Sequence, residues 1–204
     1  MAGTSENGSG FSRREFLKGS SAAAAATALG TATAETMAEE KGAKKVISGA
    51  TTISLTINGK SHRVTVEPRT TLLEVLRYQL ELTGAKPVSS DGSSGASTVL
   101  VGGKPIMAST TLALAARGKE IETVESLGGD KPDAIPQAFV QHDAEQCGFC
   151  TPGFVVAVRA FLSKHPKASE AEIRRGLNGN ICRCGTYANV IQAATSIVKG
   201  GRNG

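Results

Sequence analysis

The stretch Q-C-G-F-C-T-P-G, Gln146 to Gly153, decides how this chain is read. It sets Cys147 and Cys150 just ahead of Thr151-Pro152, a pair that reads as an N-cap with proline at the first helical position. The helix so opened runs through Phe154, Val155, Val158 and Leu162. A gap of 31 residues separates Cys150 from a second pair, in G-N-I-C-R-C-G-T-Y, Gly179 to Tyr187. Cys182 and Cys184 precede another expected helix, Tyr187 to Val198. All 4 cysteines of the chain are therefore in loops at helix N-termini, where anionic sulfur is favoured.

Three chemistries fit such a set. Two disulfides need recombination across the gap or strained local bridges, and adjacent C-x-C bridges are rarely comfortable. Structural zinc wants four thiolates around one ion, and zinc ribbons mostly use C-x-x-C in both halves. A [2Fe–2S] cluster gives each of two irons two thiolates, which suits two close pairs from two loops. On spacing alone iron–sulfur leads zinc, and zinc leads disulfides.

Around these loops the C-terminal part reads as helical. Gly128 to Pro136 is rich in Gly, Pro and Asp and marks a domain boundary. Pro136 to about Glu145 is one expected helix. Ser169-Glu-Ala-Glu172 is a capping box that opens another, reaching Leu177 and stopping at Asn178-Gly179. Upstream the periodicity changes. Ile53, Leu55 and Ile57 alternate, Asn58-Gly59 makes a hairpin turn, and Val64 and Val66 alternate again from His62. Thr71 caps a helix from Leu72 to about Leu82, with Leu73, Leu76 and Leu80 on one stripe. Thr98 to Val101 is a short strand closed by Gly102-Gly103, and Ile121 to Val124 is another. The whole is an α+β chain, a small mixed unit followed by an all-α one.

The N-terminus has a separate role. Ser12 to Lys18 reads S-R-R-E-F-L-K, followed by an Ala-rich run to Leu29 and A-T-A at Ala32 to Ala34. A basic start, a short apolar run and a small-residue cleavage site make residues 1–34 a signal peptide. Arg13-Arg14 with Phe16-Leu17-Lys18 resembles the twin-arginine export signal. Cleavage is expected after Ala34 or, failing that, Ala38, and residues 35–48 read as a linker. The apolar run is too short and too weakly hydrophobic for a membrane span. The implied location is the bacterial periplasm, reached already folded. A net charge of +5 without a Lys/Arg stripe argues against nucleic acid as a partner.

The words around the cysteines carry a resemblance. Q-C-G-F-C-T-P-G and G-N-I-C-R-C-G-T-Y closely resemble the C-terminal cluster domain of iron–sulfur small subunits in the xanthine dehydrogenase/aldehyde oxidase family, the molybdenum hydroxylases. The resemblance runs from about residue 51 to 200. With the export signal, it points to periplasmic aldehyde oxidoreductase iron–sulfur subunits. It implies a β-grasp, plant-ferredoxin-like domain over residues 49–127 and a four-helix-bundle cluster domain over 133–202. It implies that Cys147, Cys150, Cys182 and Cys184 hold a [2Fe–2S] cluster. It also implies that Gln146 and Cys184 lie against a molybdopterin held by a large subunit.

The first domain of that family ordinarily holds a second cluster, on T-G-x-K-x-x-C-x-x-G-x-C-G-A-C-T-V and a later S-C-L. Here Thr83 to Val99 reads T-G-A-K-P-V-S-S-D-G-S-S-G-A-S-T-V, and Ala108 to Thr110 reads A-S-T. Ser89, Ser94, Ser97 and Ser109 fall on the four ligand positions. Serine is a poor soft-metal ligand, and iron–sulfur clusters select thiolate. The expectation is an empty shell whose serines hydrogen-bond to loop backbone or water.

No catalytic base or substrate pocket is evident, and His62, His142 and His165 stand alone. The chain thus reads as a non-catalytic electron-transfer subunit with one [2Fe–2S] cluster. Its partners are a molybdopterin-binding large subunit and either a flavin subunit or a periplasmic cytochrome as acceptor. Two other readings are a structural or export-escort subunit with no obligatory relay, and a stand-alone zinc module.

Overall fold

Thr51–Ile57 (β1) and Lys60–Val66 (β2) pair antiparallel from Ile57↔Lys60 to Thr51↔Val66. The turn between them needs positive φ at both central residues, which Asn58 (50°) and Gly59 (75°) supply. In this computed structural model the described residues run from Val46 to Gly200. The signal peptide and residues 35–45 of the linker lie outside them, as do residues 201–204.

Thr71 opens α1 with a full capping box to Glu74. The helix is shorter than the leucine stripe suggests. Leu72–Glu74 passes into a π-helical segment, Val75–Gln79, which closes with Leu80 N–H donating to Val75 O at 3.2 Å. Two side chains account for the early stop. Gln79 bonds to both backbone groups of Thr65 on β2, and Arg77 donates to Thr83 O and Ala85 O, folding the following chain back. Glu81 then takes φ +58°.

Three short strands complete the sheet: Thr98–Val101 (β3), Lys104–Met107 (β4) and Glu120–Glu122 (β5). The order is β2-β1-β5-β3-β4, with β1 and β5 parallel and the other pairs antiparallel. The sequence pattern does not reveal β4, because K-P-I-M lacks alternation and carries a proline. The edge position tolerates Pro105. The expected strand Ile121–Val124 is shifted: it ends at Glu122, and Val124–Leu127 forms a 3₁₀ turn instead.

Four helices follow. Ala134–Gln141 (α2) starts before Pro136, capped by Asp133, whose carboxylate also pairs with Arg159. Thr151–Lys164 (α3) has Cys150, not Thr151, as its N-cap. Glu170–Gly176 (α4) carries the expected Ser169/Glu172 box, and Tyr187–Gly200 (α5) ends the described chain. Leu55, Ile57, Leu72, Leu76 and Ile121 are among the side chains that build one core against the sheet. Phe154, Val158, Ile173, Val190 and Ala194 belong to a second core among the helices. Leu100 of β3 packs with Val156 and Ala160 of α3 and joins sheet to helices. No helix among the described residues is long and apolar enough to cross a membrane.

Candidate metal centre

The two cysteine loops are turned by glycine. Gly148 (φ +74°) reverses the chain between Cys147 and Cys150, and Gly185 (φ +82°) does so after Cys184. Cys150 sits on the first turn of α3, where its carbonyl accepts from Phe154 N–H at 3.1 Å. Cys182 is held from three sides. Its N–H donates to the Tyr187 hydroxyl at 2.8 Å, its sulfur lies 3.2 Å from Thr186 Oγ1, and Ile181 N–H before it donates to Ser94 O at 2.9 Å. The Tyr187 ring meets Phe154 edge-on at 6.1 Å, tying the second loop to the helix behind the first.

Folding thus brings together cysteines that the sequence keeps apart. All four are free thiols, so the disulfide alternative is not realised. The four sulfurs are mutual neighbours: Cys150 interacts with Cys182 and Cys147, and Cys184 with Cys147 and Cys182. Cys182 is buried and Cys150 half-buried, whereas Cys147 and Cys184 are exposed. Among the described residues no three of His, Cys, Asp and Glu converge on a single ion.

The inner pair is electrostatically unequal. Burial pushes the Cys150 thiol up to about 12, helped by its hydrogen bond to Cys182 and by the neighbouring sulfurs. Burial also disfavours the Cys182 thiolate, but hydrogen bonds from the Thr186 hydroxyl and N–H, the Cys150 thiol and Gly185 outweigh it and bring Cys182 down to about 7. At Cys184 the Cys147 backbone N–H favours the thiolate. The Cys147 thiol, burial and repulsion by nearby sulfurs together outweigh it and move the group up.

Gln146 is exposed beside Cys147, and Phe149 and Ile181 are each about half exposed at the tips of the two loops. Lys86 Nζ stands 5.7 Å above the Phe149 ring. Asn180, Thr186 and Tyr187 carry the second loop, yet sequence reasoning assigned them no role. The usable signal was a pair of hydroxyl residues, Thr186-Tyr187, one glycine after C-R-C and at a helix start.

The serine positions also meet. Ser89 Oγ and Ser94 Oγ are 2.9 Å apart, as are Ser97 Oγ and Ser109 Oγ. Each pair takes a backbone N–H as well: Ser94 N–H to Ser89 at 3.1 Å and Ser109 N–H to Ser97 at 3.3 Å. The expectation was bonding to backbone or water; serine-to-serine bonds are added to it. This loop lies on the second cysteine loop. Asn180 Nδ2 donates to Gly95 O at 2.9 Å, and Gly153 of α3 also abuts Gly95 O.

Residues 123–195 match the family model described as a [2Fe-2S] binding domain, and residues 10–30 match the twin-arginine translocation signal sequence. The aldehyde oxidoreductase iron–sulfur-binding subunit PaoA of Escherichia coli (strain K12) is 38% identical over 199 residues, covering 90% of this chain and 86% of its own.

The chain belongs to the iron–sulfur subunits of the xanthine dehydrogenase/aldehyde oxidoreductase family.

The small FeS subunit of nicotinate dehydrogenase from Eubacterium barkeri is 37% identical, with 72% of this chain and 95% of that one covered. Among solved structures, quinoline 2-oxidoreductase from Pseudomonas putida 86 superposes with a TM-score of 0.72 at 41% identity, over 77% of this chain and 99% of that one. The aldehyde oxidoreductase of Desulfovibrio gigas gives 0.71 at 31% identity, over 75% of this chain but 17% of that one. The protein is an electron-transfer iron–sulfur subunit of an oxidoreductase complex. The twin-arginine signal exports it to the periplasm.

Proposed function

We propose that Cys147, Cys150, Cys182 and Cys184 hold the single [2Fe–2S] cluster of this subunit, and that the serine site holds none. The observation that carries this reading is a contrast within one chain. Four free thiols meet at one site, while four hydroxyls meet in two hydrogen-bonded pairs at the other. When bound, a [2Fe–2S] cluster supplies a one-electron relay. The residues do the rest. Cys182 and Cys150 hold the buried side, the exposed Cys147 and Cys184 face outward, and Gly148 and Gly185 let both loops turn. At the serine site the donor set does not fit iron–sulfur. Hydroxyls do not ionise near neutral pH, and each already has a partner.

The reading extends to architecture and partners. Residues 49–127 form a β-grasp, ferredoxin-like domain, and residues 133–202 form a four-helix cluster domain. The exposed face of Gln146, Cys147 and Cys184 docks on a molybdopterin-binding large subunit that oxidises an aldehyde or heterocycle, with Gln146 and Cys184 against the pterin. With one relay point, the acceptor must dock within reach of the cysteine loops. A periplasmic cytochrome meets that requirement. A flavin subunit seated on the serine-bearing domain does not.

The test is iron and acid-labile sulfide in the purified complex. About two of each per copy of this chain are expected, falling to none in Cys182→Ser. About four of each would refute the empty serine site, and zinc in place of iron would refute the relay. Full turnover by a cluster-free Cys182→Ser complex would instead make the chain an escort.

A further inference from the structure

We propose that Thr186 is a positioning residue for the Cys182 sulfur, donating a hydrogen bond that fixes the buried thiolate and raises the reduction potential of the centre. The inference rests on the reading of Cys182 as a ligand. Thr186 Oγ1 lies 3.2 Å from Cys182 Sγ, and both residues are only 6% exposed. A free thiol and a hydroxyl could each be the donor in that contact. A sulfur bound to iron has no proton, so in the loaded protein only Thr186 can donate.

The backbone context makes this choice informative. Val190 N–H donates to Thr186 O at 3.0 Å, which puts Thr186 at the N-cap of α5. A threonine there ordinarily turns its hydroxyl onto the N–H groups of its own helix. Among the described residues the hydroxyl is paired with the Cys182 sulfur instead. The Tyr187 hydroxyl next door takes the Cys182 N–H, so the loop cannot rotate the sulfur away without breaking a second bond. Neither outer cysteine has a comparable buried hydroxyl: Cys147 and Cys184 are exposed.

Hydrogen bonds to cluster sulfur draw off electron density and favour the more negative, reduced form. Reduction by dithionite adds one electron per centre, taking one iron from ferric to ferrous with no bond made or broken. Removing the donor should therefore make reduction harder.

The experiment is a potentiometric titration of the holoprotein, with iron and sulfide counted first, on the parent, Thr186→Val and Thr186→Ser. Valine keeps the shape and loses the hydroxyl; serine keeps the hydroxyl. The expected result is a full iron count in all three, with reduction of the valine variant disfavoured about tenfold. That is about 59 mV for a one-electron couple. Serine should restore the parent potential. A fully loaded valine variant at the parent potential overturns the proposal, as does a serine variant that shifts like valine. If valine cannot hold the cluster, serine decides. A loaded serine variant at the parent potential upholds the hydroxyl–sulfur bond, since valine keeps the shape and fails, and an empty one overturns it, because the restored hydroxyl does not restore the centre. A parent chain without iron overturns the ligand assignment itself, a different result from a loaded parent whose potential ignores Thr186.

Discussion

Ser97 and Ser109 tie the chain before β3 to the chain after β4. Ser97 is 3% exposed, and its hydroxyl both meets Ser109 and accepts the Ser109 N–H. Ser97→Ala should cost about 1–3 kcal/mol, because it strands a half-buried hydroxyl and a backbone donor. Adding Ser109→Ala to it should cost less than the sum of the two single changes. A double-mutant cycle by urea denaturation checks this; strict additivity would mean that the pair does not interact. Cys182 offers a second prediction at this scale, in the metal-free chain. Its thiol is brought from 9.0 to about 7, so the fold favours the thiolate. The associated stability is present above the unfolded value and is lost as pH falls through about 7. Thiolate absorbance should show a step near that pH that vanishes in Cys182→Ser. A first step in the ordinary thiol range would contradict it.

Between elements, the decisive contact is the serine loop lying on the second cysteine loop and the start of α3. A Cβ at Gly153 would come 2.5 Å from Gly95 O, and one at Gly95 would come 2.5 Å from Gly179 O and 2.6 Å from Asn180 Nδ2. Neither gap can open without moving backbone, and Gly95 also needs φ +69°. Gly153→Ala should therefore destabilise by about 1–3 kcal/mol and lower cluster occupancy with it. Asn180→Leu tests the same seam from the polar side, since it removes the 2.9 Å bond that joins the two loops and leaves the Gly95 carbonyl with Thr98 alone. Thermal melts together with iron content report both effects. An unchanged iron count in a destabilised Gly153→Ala would separate the seam from the metal centre.

Across the whole molecule, two groups of four side chains stand on glycine-turned loops, one group of thiols and one of hydroxyls. The shell around the serines still has its positive-φ glycines, Gly92 and Gly95. Replacing Ser89, Ser94, Ser97 and Ser109 together by cysteine should add about two irons and two sulfides per chain. Failure of the folded quadruple variant to gain iron would mean that the loop has lost the geometry as well as the ligands. A gain would place the loss in the thiols alone.

Much of this was legible in the sequence because it is local. Asn58-Gly59 dictates a hairpin through φ, the boxes at Thr71 and Ser169 dictate helix starts, and the spacing of Cys147, Cys150, Cys182 and Cys184 restricts the chemistry to a few metals or disulfides. The serines at residues 89, 94, 97 and 109 are likewise written in the chain, and it is the family resemblance that sets them on expected ligand positions. Tertiary structure decided what depends on partners distant in sequence. The edge strand at Lys104–Met107 exists because β3 pairs with it, not because K-P-I-M favours a strand. The early end of α1 depends on Thr65 and on the carbonyls of Thr83 and Ala85. Cys150 rather than Thr151 caps α3, which no residue preference would have chosen. The approach of Cys150 to Cys182, the contact between the Thr186 hydroxyl and the Cys182 sulfur, and the seam from Gly95 to Asn180 all join segments through hydrogen bonds and close packing. Such contacts have no periodicity along the chain, so only the folded molecule displays them.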